Sequence, residues 1–181
     1  MARDPEETRA RLLAAAQKEF NSKGYFGTDT NRIARRAGYA PQTFYRHFPD
    51  KIAIFLAVYD GWWQDESKAL GEVLAARGSI GDQARLVIGF HSRWRIFRRS
   101  LRHLAIEEPR VRKARAAARL AQIARQRRLS GSKRSDAEMV AALLSAERLC
   151  DAYADGELDD LGISKSAARD MVARAMASLT R

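Results

Sequence analysis

The chain has 181 residues, 46% of them apolar, with a formal net charge of +11 and a pI near 10.4. That apolar fraction supports a packed core and argues against disorder, while the single cysteine, Cys150, excludes an internal disulfide framework. The positive excess favours a polyanionic partner, nucleic acid first.

Only 4 prolines and 11 glycines punctuate the chain, and Ala, Leu, Arg and Glu dominate it, so the pattern favours helices. The charged start, MARDPEETRARLL, lacks the apolar stretch of a signal peptide. No apolar run reaches the roughly 18 residues of a membrane span. A reducing cytoplasm and no membrane partner are the expectation.

The first helix opens at Asp4-Pro5, with Glu7 placed for a capping box. Leu12, Leu13, Ala16 and Phe20 form its apolar face, and Gly24 ends it. Thr28 is placed to cap a second helix with Ile33, Ala34 and Ala37 inward, ended by Gly38. Pro41 opens a short third helix, to about His47. Asp50 caps a long fourth one with Ile52, Phe55, Leu56, Tyr59, Trp62 and Trp63 as apolar positions.

A break at Arg77-Gly78-Ser79 precedes a helix reaching Glu107, stopped by Pro109. A very basic helix follows, Arg110 to Leu129, then a loop at Ser130 to Lys133. Asp136 is placed to cap a helix reaching Ala154. An acidic loop covers Asp155 to Gly162, and Ser164 or Ser166 starts the last helix. No alternating strand pattern and no repeat is present, so the fold class is all-α.

The third helix is the informative one. It is short and polar, joined to the second by a tight turn, as in a helix-turn-helix. There the second helix of the pair enters the major groove and presents its first residues to base edges. Phe44 and Phe48, four residues apart, are placed to anchor it. Gln42, Thr43, Arg46 and His47 are left to face DNA, and Tyr45 is read as outward too.

Thr28, Ile33-Ala34, Ala37-Gly38, Thr43, Tyr45, His47-Phe48 and Lys51 together resemble the N-terminal signature of TetR-family transcriptional regulators. The resemblance covers roughly residues 8 to 59. It implies a homodimer, a DNA-binding domain at 1–51 and a helical effector-binding and dimerisation domain at 52–181. It also implies phosphate contacts from Thr28, Tyr45, His47 and Lys51, with Gln42 and Thr43 nearest the bases. Lys51 lies in the first turn of helix four, where backbone N–H groups favour a phosphate.

Two positions depart from the family's pattern. Ala40 stands where a capping serine is usual, a loss of about 1 kcal/mol that Pro41 partly offsets. Gln42 stands where a small residue is common, and a glutamine pairs with adenine N6 and N7.

Residues 93 to 134 hold fifteen Arg or Lys against two acids, so most of the excess charge lies outside the expected DNA-binding domain. Three uses compete: pairing with the acidic C-terminal segment, long-range attraction to DNA, or holding an anionic ligand. Arg95, Arg98, Arg99 and Arg102 fall on one stripe and read as a solvent face.

Trp63, Phe90, Trp94 and Tyr153 are candidate lining for an effector pocket between helices, with core packing as the alternative for each. Candidates for the dimer interface are Val140, Leu143 and Leu144 on the penultimate predicted helix. On the last they are Ala168, Met171, Val172, Ala175, Met176 and Leu179. Ordinary packing within the chain is the alternative for these as well.

No catalytic grouping, no metal-ligand spacing and no cofactor motif is present, so neither an enzyme nor a metalloprotein is expected. Cys150, on a patterned helix, reads as a structural thiol. The resulting expectation is a ligand-responsive repressor binding double-stranded operator DNA as a homodimer, with a small-molecule effector. The alternative is a basic nucleoid-like DNA binder with little sequence preference and no effector.

Overall fold

The computed structural model describes residues 4–179, all helix and connecting turn, with no strand among them. Ten helices follow in order: α1 Pro5–Lys23, α2 Thr30–Arg36, α3 Pro41–His47, α4 Lys51–Ala75, α5 Ile80–Arg93, α6 Arg95–Glu107, α7 Pro109–Ser130, α8 Asp136–Asp155, α9 Glu157–Asp160 and α10 Lys165–Ala177. They divide into two compact units. One comprises residues 1–64 and 96–112, the other 65–95 and 113–181.

Most helix ends fall where the sequence places them, and the differences have local causes. Asp4 caps α1 by accepting from the Glu6 N–H at 2.9 Å, while Glu7 pairs with Arg11 one turn on instead of closing a capping box. Asp29, not Thr28, caps α2, accepting from Arg32 N–H at 2.8 Å. Thr28 is buried. Ser135, not Asp136, caps α8 through a reciprocal capping box with Glu138. Ser164 caps α10. Inside the predicted acidic loop a single helical turn, α9, follows Gly156.

The predicted helix from Ser79 to Glu107 is two helices. The break is at Trp94, whose φ of −107° and ψ of 19° leave the helical region. Neither Gly nor Pro marks it. The buried Trp94 and Arg98 flank the join. Arg98 is therefore not on a solvent face: its guanidinium carbon lies 4.8 Å from the centre of the Trp62 ring. Arg95 and Arg99 are exposed and Arg102 is half-buried.

The first unit is built around aromatic rings. Phe20, Phe55 and Phe97 are fully buried. Phe20 meets Phe55 edge-on at 5.1 Å between centroids, and Phe55 stacks on Phe97 at 4.6 Å. Leu12, Ala16, Ile33, Ala34, Phe44 and Ile54 complete a core that ties α1 to α4.

The second unit is a bundle of α5, α8 and α10 around Ala84, Ile88, Ala146, Cys150, Val172 and Met176. Cys150 is fully buried among them. Ile123 of α7 packs with Met139, Leu143 and Leu179. Within this unit Arg115 and Arg119 both reach Glu147, and Arg127 reaches Asp136. These are pairings with the acidic C-terminal segment, one of the three uses the charge distribution left open. His91 is also buried here, with Nδ1 2.9 Å from Asp151 and Nε2 3.7 Å from Glu66. No group of side chains among the described residues has the makings of a metal site.

Phe55 touches Phe20, Tyr25 and Phe97, so its removal opens the centre of the first unit. Phe55→Ala is expected to cost about 3–5 kcal/mol, measured by denaturant unfolding.

Candidate nucleic-acid interface

The turn between α2 and α3 is fixed by its hydrogen bonds. Gly38 N–H donates to Arg35 O at 3.0 Å and Tyr39 N–H to Ala34 O at 2.9 Å. This closure needs the left-handed conformation that Gly38 adopts, φ +82°. Proline then starts α3, and Ala40 supplies no side-chain cap. Thr43 N–H turns back to Ala40 O at 3.0 Å.

α3 turns one face inward and one out. Phe44 and Phe48 are buried, their centroids 5.9 Å apart, with the Arg9 guanidinium 5.1 Å from the centre of the Phe48 ring. Gln42, Tyr45 and Arg46 are exposed, and Thr43 and His47 are half-buried. Tyr45 is thus not a core aromatic. Its hydroxyl lies 2.9 Å from Thr30 Oγ1 on α2, which orients the ring along the outer face. A seven-residue surface with an amide, two hydroxyls, a guanidinium and an imidazole can donate to phosphates and to base edges.

Beside α3, Lys51 begins α4. Its Nζ donates to Thr28 O at 2.6 Å and lies 4.0 Å from the centre of the Tyr25 ring. Burial pushes its pKa below the usual lysine range, against the opposing charge of Asp29. Asp50 caps α4 by accepting from Ala53 N–H at 2.7 Å, and Arg110 donates to its other oxygen at 2.8 Å. Burial acts to raise the Asp50 pKa, but the Arg110 and backbone hydrogen bonds outweigh it and leave it low.

One residue here escapes the sequence reading. Glu19, on the apolar face of α1, is 1% exposed. It accepts from the Thr28 hydroxyl at 2.9 Å and from Arg36 Nη1 at 2.7 Å, with Lys23 at 3.9 Å. The signal was present: a carboxylate three residues after Ala16, on the stripe that starts at Leu12. Thr28 therefore turns its hydroxyl into the domain. Desolvation would raise the Glu19 pKa, but the Thr28 and Arg36 hydrogen bonds and the Lys23 and Arg36 charges more than offset it.

The other predicted site residues are divided between the two units. Trp63 belongs to the first unit and is half-buried. Phe90, Trp94 and Tyr153 belong to the second, where Trp94 is buried and the other two half-buried. Tyr153 packs on Ala152, Leu158 and Ala168, and the Arg93 guanidinium lies 5.0 Å from the centre of the Phe90 ring. Of the dimer candidates, Leu143, Ala168, Val172, Met176 and Leu179 are buried within the chain's own packing. Val140 and Leu144 are 38% and 41% exposed. Met171 and Ala175 are half-buried.

Residues 12–58 match the family model described as bacterial regulatory proteins, tetR family. Over 53 residues the chain is 40% identical to the HTH-type transcriptional activator FasR of Mycolicibacterium smegmatis, covering 29% of this chain and 24% of that protein. Over 59 residues it is 39% identical to the HTH-type transcriptional repressor SCO4008 of Streptomyces coelicolor, covering 33% of this chain and 31% of that one. The chain thus spans about a quarter to a third of the length of these curated relatives. The fold as a whole resembles a solved transcriptional regulator from Rhodococcus sp., with a TM-score of 0.70 at 18% identity, covering 94% of this chain and 95% of the other.

The matched segment holds the helix-turn-helix formed by α2 and α3. Residues 12–58 are thus similar to the DNA-binding part of the TetR family, and the helical fold around them is one also seen in a solved regulator.

The ionised Glu19 carboxylate is what its partners bind, so its stabilising contribution is present above the ordinary carboxylate pKa of 4.5 and is lost as pH falls through the lowered one. Glu19→Gln is expected to cost about 1–3 kcal/mol at neutral pH. The gap between wild-type and variant unfolding midpoints should narrow as the pH is taken below 4.5.

Proposed function

We propose that this protein is a sequence-specific transcriptional regulator that binds a pseudo-palindromic operator as a homodimer. The observation that carries this is the outward face of α3, with Gln42, Tyr45 and Arg46 exposed over the two buried phenylalanines. Two such helices, one per protomer, would enter successive major grooves about one helical turn apart, roughly 34 Å. Gln42 and Thr43 read bases. Tyr45, Arg46, His47 and Lys51 hold phosphates. Thr28 contributes through its carbonyl bond to Lys51, since its hydroxyl is bound to Glu19.

The dimer face is proposed on α8 and α10, from the side chains that intrachain packing leaves accessible: Val140, Leu144, Met171 and Ala175. A four-helix arrangement of these two helices with their symmetry mates suits such a stripe. A small-molecule effector is proposed for the second unit, with Phe90, Trp94 and Tyr153 as lining. Effector and DNA then oppose one another through a shared coupling energy. Repression is the proposed sense of regulation, and the similarity to both a named activator and a named repressor makes it a matter for direct assay.

The alternative, a basic binder without sequence preference, draws on the charge of residues 93 to 134. Part of that charge is internally matched, Arg115 and Arg119 by Glu147, Arg127 by Asp136 and Arg110 by Asp50. That favours the site-specific reading.

Selection of bound duplexes from a random library should return a pseudo-palindromic consensus; recovery of no preferred sequence would support the non-specific binder instead. On the selected duplex, Gln42→Ala should lose about 1–3 kcal/mol of discrimination at one base position. Lys51→Ala should weaken binding to all sequences and reduce the salt slope by about one.

A further inference from the structure

A buried carboxylate is costly unless every oxygen is used, and Glu19 meets that condition with partners from two other segments. Oε2 accepts from Thr28, in the connection that leads into α2, and Oε1 from Arg36, the last residue of α2. The connection between α1 and α2 is therefore tied down from the interior. It is constrained elsewhere too. Tyr25 N–H donates to Ser100 Oγ at 2.9 Å. A Cβ on Gly27 would lie 2.3 Å from the Lys23 carbonyl oxygen, so only glycine lets the chain pass there.

The same Thr28 that Glu19 holds by its hydroxyl holds Lys51 by its carbonyl. A lysine stem is flexible, and fixing it on DNA binding costs side-chain entropy. Here one of its three donors and its position over the Tyr25 ring fix it beforehand, and two donors remain for a phosphate.

We propose that Glu19 is a positioning residue for DNA binding: through Thr28 it sets the carbonyl that holds the Lys51 ammonium in place for a backbone phosphate. This rests on the reading of Lys51 as a phosphate contact. A purely structural role would not need a carboxylate. Replacing a whole buried ion pair by apolar side chains is often neutral or stabilising, whereas removing one partner is destabilising, so the unfolding of Glu19→Leu is read beside its affinity. Leucine at position 19 would extend the stripe of Leu12 and Ala16.

The test compares wild type, Glu19→Leu, Thr28→Val, Lys51→Ala and the Glu19→Leu/Lys51→Ala double variant. Affinity for the duplex recovered by selection is measured across a salt series, beside thermal unfolding of each protein. Glu19→Leu and Thr28→Val should remain folded, lose affinity about tenfold, the scale of one charge-assisted hydrogen bond, and show a salt slope shallower by about one. The double variant should bind no worse than Lys51→Ala alone, because both changes remove one contact. Wild-type affinity and slope in the two single variants, or additive losses in the double, would overturn the proposal. Should Glu19→Leu fail to fold, Thr28→Val decides by itself. A wild-type protein that selects no duplex refutes the DNA-binding reading in its own arm, before any variant is compared.

Discussion

A helix of seven residues has too few internal hydrogen bonds to persist in water, and α3 also lacks a side-chain cap. It exists because Phe44 and Phe48 leave water together. Burying each ring is worth about 1.5–3 kcal/mol, which offsets part of the cost of ordering the segment, with the helix's own hydrogen bonds and the α2–α3 turn contributing the rest. Everything asked of the outer face follows from that. With the rings inward, the helical period leaves Gln42, Tyr45 and Arg46 facing out. Gly38 and Pro41 set where this helix begins, and the phenylalanines set which way it faces.

The electrostatics divide along the same line. The chain's positive excess is not concentrated at the helix-turn-helix, and part of it is neutralised at once by Glu147, Asp136 and Asp50. Near α3 the arrangement is different. A single carboxylate, Glu19, stays ionised in the interior because a hydroxyl and a guanidinium satisfy it. Lys51 nearby is held by the Thr28 carbonyl and the Tyr25 ring. A small number of well-placed charges therefore does more at this surface than the bulk +11 suggests.

The helical class, the first four helices and the anchoring phenylalanines were legible in the sequence, because each has a local signal: a period, a cap, a glycine or a proline. What the sequence hid depends on partners far along the chain. Arg98 sits on a regular basic stripe and reads as solvated, yet it lies against Trp62. His91 meets Asp151 sixty residues away. Thr28 looks like a cap and is instead a buried hydrogen-bond donor to α1. Among the dimer candidates, one apolar stripe carried two kinds of residue. Leu143 and Val172 are used inside the chain while Val140 and Leu144 remain accessible, and no periodicity separates them. The break at Trp94 had no breaker residue to announce it.

The unit that contains the helix-turn-helix is made from two stretches of chain, 1–64 and 96–112. Phe97 from the second stretch stacks on Phe55 from the first, and Ser100 secures the Tyr25 amide. The motif by itself reads as a portable N-terminal cassette, but its interior is not contiguous in the gene. Exchanging the second unit between chains of this fold by one crossover after α4 would carry away α6 and remove Phe97 from its place against the Phe55 ring. A working hybrid needs three junctions, at the points where the chain passes between units, with residues 96–112 travelling with the helix-turn-helix rather than with the second unit.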